Sequence, residues 1–282
     1  MAFIEVTGLS KSFTTSSGTR HVLRDVSLTV EHGQFISIVG AMGSGKSTLL
    51  ALVAGLAPAD AGTITIGGEP VRGIRPDSAF VFQNYSLLPW FTALENVRLA
   101  VEAAFPALSR QDQRRTATEA LERVGLGTAL NRRPRQLSGG MRQRVALARA
   151  FATRPRVLFM DEPFGALDAL TRETLQQDLA RLCSDGDQPV TTVMITNSVE
   201  EAILLSDHIV PILAGPPATL GAPIVVDLAR PRSAAQLAHE EQATQVRASV
   251  ISTLTAALAR PKASAGSPGR GPVALAVVEE TR

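Results

Sequence analysis

A chain of 282 residues that is 45% apolar can build one sizeable core with room for an appendage. Only 4% is aromatic, and 28 basic residues nearly balance 26 acidic ones for a net charge of +2. That balance argues against a base-stacking platform and against a polyanion partner, so no nucleic acid is expected. The single cysteine, Cys183, excludes an intrachain disulfide or a thiolate metal cluster and fits a cytoplasmic protein with a structural thiol. The opening MAFIEVTGLSKSF lacks the basic start and apolar run of a signal peptide. No stretch approaches the roughly 18 apolar residues of a membrane span, so any work at a membrane needs another chain to cross it.

In chain order, residues 3–9 and 22–30 alternate apolar and polar, as half-buried strands do. Residues 35–39 (FISIV) form a continuous apolar run, the pattern of a strand covered on both faces. A glycine-rich turn follows, then residues 47–53 (STLLALV) open a helix. Residues 92–130 have a helical pattern with charged faces and read as a helical insert. Further helices are predicted at 139–153 and 169–183, and buried strands at 157–160 and 191–195. Strands alternating with helices predict a mostly parallel α/β sheet. From Gly215 the chain turns rich in Pro, Ala and Gly; one more helix is expected at 233–258. The end, RPKASAGSPGRGP, is low in complexity, and 261–282 is expected to be a disordered tail.

Gly40-Ala41-Met42-Gly43-Ser44-Gly45-Lys46-Ser47 matches G-x-x-x-x-G-K-[ST] between a predicted strand and a predicted helix, the context of a P-loop. Its glycines let backbone N–H groups turn inward around phosphate oxygens. Lys46 would neutralise the β- and γ-phosphates, and the Ser47 hydroxyl would ligate Mg²⁺. Downstream, VLFMDE ends an apolar strand in Asp161 and Glu162. The acids emerge at the sheet's carboxyl edge, where Asp161 suits the Mg²⁺ shell and Glu162 a general base for an attacking water. Leu137-Ser138-Gly139-Gly140-Met141-Arg142-Gln143 starts another helix with a second anion site. It is either an ordinary cap or one half of a site shared by two chains facing head to tail.

Together these residues resemble the ATPase subunit of an ABC transporter. GAMGSGKST, through Thr48, is similar to its Walker A motif, LSGGMRQ to its signature and VLFMDEP to its Walker B motif. Asp168 in Ala166-Leu167-Asp168 is similar to the D-loop residue, Gln83 in FVFQNYSLLPW to the Q-loop glutamine, and Phe13 to the aromatic that stacks on adenine. The resemblance spans about residues 3–227. It implies a P-loop NTPase of ABC ATPase type, with a mostly parallel sheet core, an antiparallel β subdomain and a helical subdomain at about 85–155. The domain would run from 3 to 232, with a C-terminal helical extension at 233–260. It implies two ATP and Mg²⁺ sandwiched between this chain and a second ABC ATPase, identical or different. The implied place is the cytoplasmic face of the inner membrane, against a membrane-spanning subunit. Gln83 would touch Mg²⁺ or the attacking water. Leu87, Leu88, Pro89 and Trp90 would either line the docking groove for that subunit or belong to the core.

Residues 200–232 and the stretch QNYSLLPWFTALENV are similar to the ATPases of nitrate, sulfonate, taurine and bicarbonate importers. This implies uptake of a small anion with an extracytoplasmic binding protein. The chain lacks the long coiled-coil insert of DNA-repair ABC ATPases and the second cassette of translation-type factors, and a small-molecule kinase would lack LSGGMRQ.

One position departs from the family. Where a histidine usually contacts the γ-phosphate and links it to the general base, this chain has Asn197. An amide still donates an N–H bond but carries no charge, and charge-assisted bonds are about twice as strong. Hydrolysis about 10- to 1000-fold slower than with histidine is the expectation. Asn197 suffices beside Glu162, or a partner ATPase supplies the stronger site, or the chain binds ATP without cutting it.

Overall fold

The computed structural model describes residues 2–16, 18–184, 189–213, 215 and 217–259; the tail expected at 261–282 lies outside them. Two long strands, β1 (Ala2–Thr15) and β2 (Gly18–Glu31), precede β3 (Phe35–Val39) and helix α1 (Lys46–Val53). Then come β4 (Ala61–Ile66), β5 (Glu69–Pro70) and β6 (Ser78–Val81). Helices α2 (Ala93–Ala104), α3 (Arg110–Arg123) and α4 (Gly139–Phe151) lead to β7 (Val157–Asp161). Next are α5 (Ala169–Ser184), β8 (Thr191–Thr196), α6 (Val199–Leu205) and β9 (His208–Leu213). Short strands β10 (Thr219–Leu220) and β11 (Ile224–Val225) precede α7 (Ala234–Leu237) and α8 (Glu241–Ala259).

An antiparallel sheet of order β2-β1-β4-β5 packs against a larger sheet of order β10-β9-β3-β8-β7-β6, with β11 on β9. The run β6-β7-β8-β3-β9 is parallel throughout. Its central strands are mostly apolar, with Ser37 and three threonines of β8 among their residues, and are buried along almost their whole length because both faces are covered. Ile36 and Ile38 of β3 face α1 and the antiparallel sheet; Phe35 and Val39 face α4, α5, α6 and α8. A third core holds α2, α3 and α4 together. It rests on a capping box at Thr92–Glu95 and on buried Asn96, whose amide donates to the Leu88, Phe91 and Thr92 carbonyls.

Two sequence expectations need correction. The first hairpin is longer than the alternating segments 3–9 and 22–30, because its outer half is polar. There Lys11 pairs with Asp60 at 2.8 Å and Ser12 Oγ meets His21 Nδ1 at 2.8 Å. The expected single helix at 233–258 is two. On one straight helix, Leu237 would sit about 120° from the stripe of Ala243 and Val250. A break at His239–Glu240 lets all three enter the same core. Cys183 is buried with its thiol pushed up to about 12 by burial, the inert thiol expected.

Candidate functional site

In an open parallel sheet, ligands bind beyond the carboxyl ends of the strands. Four adjacent strands here each end in a residue singled out from the sequence. β3 runs into the glycine loop, β8 into Asn197, β7 into Asp161 and Glu162, and β6 stops two residues before Gln83. Residues more than a hundred positions apart therefore converge.

The loop from Gly40 to Lys46 turns because Gly45, at φ 96°, adopts a left-handed conformation as the cap of α1. No side chain caps this helix, so its first-turn N–H groups remain open to an anion. Ser44 Oγ is buried and has no hydrogen-bond partner among the described residues, an orphan that a phosphate oxygen would satisfy. Lys46 is 4% exposed and donates to Gly40 O at 2.9 Å, Ala41 O at 2.9 Å and Asn197 Oδ1 at 2.8 Å. An ammonium has three N–H groups, so a phosphate would compete with these acceptors, of which Asn197 is the only side chain. Burial holds the Lys46 pKa below its ordinary value, opposed by Glu162 and Asp161.

Ser47 Oγ lies 3.3 Å from Asp161 Oδ1. This hydroxyl–carboxylate pair is an oxygen donor set fit for Mg²⁺, a hard cation that takes few protein ligands and completes its shell with phosphate and water. Burial raises the Asp161 pKa, with Ser47 opposing. Glu162 sits at φ 43°, a costly conformation for a non-glycine residue and one that recurs at functional sites. Its N–H donates to Ile195 O at 2.9 Å, so the backbone stays in register with β8 while the side chain turns into the cleft. There Asn197 Nδ2 donates to Glu162 Oε1 at 2.6 Å, and Gln83 Nε2 lies 3.5 Å from Glu162 Oε2. Asn197 thus joins Lys46 to Glu162 by one amide.

The resulting open cleft of about 470 Å³ is lined by Met42, Gly43 and Gly45 of the loop, Lys46, Ser47 and Thr48 at the start of α1, and Gln83 and Glu162. Its far wall is Phe13, 45% exposed, brought there by the polar half of the first hairpin. Arg20 and Val22 also line it and were missed from the sequence, because neither an exposed Arg20 nor a half-buried Val22 on a strand carries a local signal.

Ser138, Gly139, Gly140 and Asp168 are not among the residues lining this cleft. Ser138 caps α4 by accepting from Met141 N at 3.2 Å. Asp168 accepts from Thr171 N at 3.0 Å, and backbone and side-chain bonds from Thr171 hold its carboxyl below the usual range. Gly140 is pressed on Thr171: a Cβ there would lie 2.4 Å from Thr171 Cγ2. The segments that start at Ser138 and Asp168 therefore form one packed surface apart from the cleft. Tyr85, also missed from the sequence, completes it, with its hydroxyl beside Gly139 and its ring under Arg142. Trp90 is 63% exposed, which removes the core reading for it, while Leu87 packs inward.

Comparison with known proteins agrees with this geometry. The family model described as ABC transporter matches residues 23–165. The nitrate import ATP-binding protein NrtD of Synechococcus elongatus is 44% identical over 252 residues, 89% of this chain and 91% of that protein. The bicarbonate transport ATP-binding protein CmpC of the same organism is 44% identical over 250 residues, 88% of this chain, which spans only 37% of CmpC. Among solved structures, a dimeric post-hydrolysis state of the ATP-binding cassette MJ0796 bound to ADP and Pi superposes with a TM-score of 0.72. It is 30% identical and covers 80% of this chain and 100% of that one.

Proposed function

The chain belongs to the ABC transporter family and is an ATPase, and we propose that it is the subunit whose ATP hydrolysis powers import of a small anion of nitrate, sulfonate or taurine type. The observation that carries the ATPase mechanism is the single hydrogen-bonded array Lys46–Asn197–Glu162–Gln83 at the sheet's carboxyl edge. The anion class rests on similarity to proteins named for nitrate and bicarbonate transport.

In this reading the open N–H groups of α1 and Ser44 take the phosphates, Lys46 offsets their charge, and Phe13 stacks on the base. Glu162 accepts the proton of the attacking water. Asn197 fixes the carboxylate by its 2.6 Å bond, and Gln83 reaches the same carboxylate from the opposite side. Ser47, Asp161 and Gln83 would hold Mg²⁺, which supplies charge stabilisation to the transferring phosphoryl group when bound. Ser138, Gly139, Gly140 and Asp168 serve the second nucleotide site, across the interface with another ABC ATPase.

We take residues 3–232 as the ATPase domain, with a helical subdomain at about 85–155 and a helical extension from 233. None of the described helices is long and apolar enough to cross a membrane. A separate membrane-spanning subunit would meet the exposed Trp90 face, with an extracytoplasmic binding protein on the far side. In this reading the chain sits on the cytoplasmic face of the inner membrane. A second reading, a weakened ATP-binding subunit paired with a stronger ATPase, is favoured by one observation: Asn197 offers no titratable ring where the family usually has histidine.

The test is ATP hydrolysis by the chain with its membrane partner in lipid, comparing wild type, Asn197→His and Glu162→Gln. Turnover by wild type, lost in Glu162→Gln and raised about 10-fold or more by Asn197→His, supports a working motor. A wild type as inactive as Glu162→Gln, revived by Asn197→His, supports the second reading. Uptake of nitrate, taurine and sulfonates by the same vesicles decides the cargo.

A further inference from the structure

Among the described residues the Asn197 side chain bonds only to Lys46 and Glu162, so its aim depends on the backbone that carries it. That backbone is the last residue before the cap of α6, a helix of seven residues and fewer than two turns. Ser198 caps it, accepting from Glu201 N at 3.2 Å, and Glu201 is buried against Gln176 of α5 at 3.0 Å. A helix this short has little stability of its own and takes its position from what grips it.

Both ends of α6 are gripped by basic side chains that follow β11. At the carboxyl end, Arg232 donates to Ile203 O at 2.8 Å and Ser206 O at 2.7 Å, and Arg230 to Leu205 O at 2.7 Å. These guanidiniums satisfy the orphan carbonyls and complement the helix dipole. At the amino end, Arg247 of α8 makes a two-pronged bond to Glu200, Nε to Oε1 at 2.5 Å and Nη2 to Oε2 at 2.8 Å. Such bidentate pairs fix geometry as well as charge. α8 is anchored for this by Ala243 and Val250, both fully buried in the core that also contains Ala202 and Ile203 of α6.

We propose that Arg247 is a positioning residue for ATP hydrolysis: paired with Glu200, it sets the amino end of α6 and so aims Asn197 at Glu162 and Lys46. The proposal rests on the ATPase reading above and extends it, making the C-terminal helix part of the catalytic switch. Arg247 touches neither nucleotide nor reacting atoms. Its effect belongs in the rate of the chemical step, where a small misplacement is costly, and not in ATP affinity.

The experiment uses the full complex in lipid, with kcat, KM for ATP and melting temperature measured for wild type, Arg247→Ala, the charge-swapped Glu200→Arg/Arg247→Glu, and Arg247→Ala in an Asn197→Ala background. Arg247→Ala should lower kcat ~3- to 10-fold with KM within about twofold. The swap should recover most of that loss, and the substitution should add little once Asn197 is alanine. Wild-type turnover in Arg247→Ala overturns the proposal. So does a parallel change of kcat, KM and melting temperature that the swap does not repair, or an undiminished loss in the Asn197→Ala background. If the wild-type complex hydrolyses no ATP, the ATPase reading falls first and this one with it. If only the Arg247 variants behave as wild type, the ATPase reading stands alone.

Discussion

Helices α1 and α4 both begin at a serine–glycine turn, and they treat their first N–H groups in opposite ways. α1 starts from a glycine in left-handed conformation with no side-chain cap, and Ser44 beside it has an orphaned hydroxyl. α4 starts from Ser138, whose hydroxyl already accepts from Met141 N. The first terminus is built to receive an anion from its own chain's cleft. The second is a stable, self-capped helix end whose serine keeps one O–H free to donate outward, which suits a phosphate presented by another subunit. On the proposed function, similar local sequences would serve capture and completion, and the difference lies in what satisfies each helix terminus: nothing of its own side chains at α1, Ser138 at α4.

The comparison can be sharpened first at Glu162. Replacement by Gln should cut hydrolysis about 10²- to 10⁴-fold while leaving ATP bound at the α1 terminus, since the proton acceptor is lost and the phosphate donors are not. Hydrolysis rate against equilibrium ATP binding checks this, and a matched loss of binding would place Glu162 in the phosphate grip instead. Next, Ser138→Ala should lower turnover in the assembled complex ~10-fold but leave ATP affinity of the isolated chain unchanged. It should also cost about 1 kcal/mol of stability for the lost cap. Weaker ATP binding by the isolated variant would break the distinction between the two termini.

A smaller effect is expected where α4 meets α5. Gly140→Ala drives a methyl into Thr171 and should lower stability by about 1–3 kcal/mol, measured by denaturant unfolding. An unchanged midpoint would show that Thr171 yields without cost. Another serine-capped start, that of α6, gives the weakest test. Burial raises the Glu201 pKa, so its ionised form is disfavoured in the folded protein. Stability should therefore fall as pH rises from the ordinary carboxylate range through the raised folded value. Glu201→Gln should flatten that dependence, as melting curves across that range would show.

Much of the site was legible because its motifs are local. A strand, a glycine turn and a helix in sequence specify the loop around Lys46, and an apolar run ending in two acids specifies Asp161 and Glu162. The departure at Asn197 was equally plain as a change of side-chain chemistry. What it does was not, since its partners are 151 and 35 residues away. The reach of the first hairpin was hidden because its polar half has no apolar alternation, yet that half carries Phe13 and Arg20 to the cleft. The grip of Arg230, Arg232 and Arg247 on α6 was hidden for the same reason: a charged residue announces exposure, not its partner.

The sequence by itself determined the kinds of group available: a glycine-rich loop ending in Lys46 and Ser47, a strand ending in two acids, an amide at 197, and a serine-capped second helix. Each is encoded by backbone preferences and side-chain types within a few residues. Only the tertiary structure decided that Lys46, Asn197, Glu162 and Gln83 form one hydrogen-bonded array, and that Ser138 and Asp168 stand apart from it. Those relations follow from the order of parallel strands in the sheet, where neighbours in space are joined by long crossovers and no local pattern records which will lie side by side.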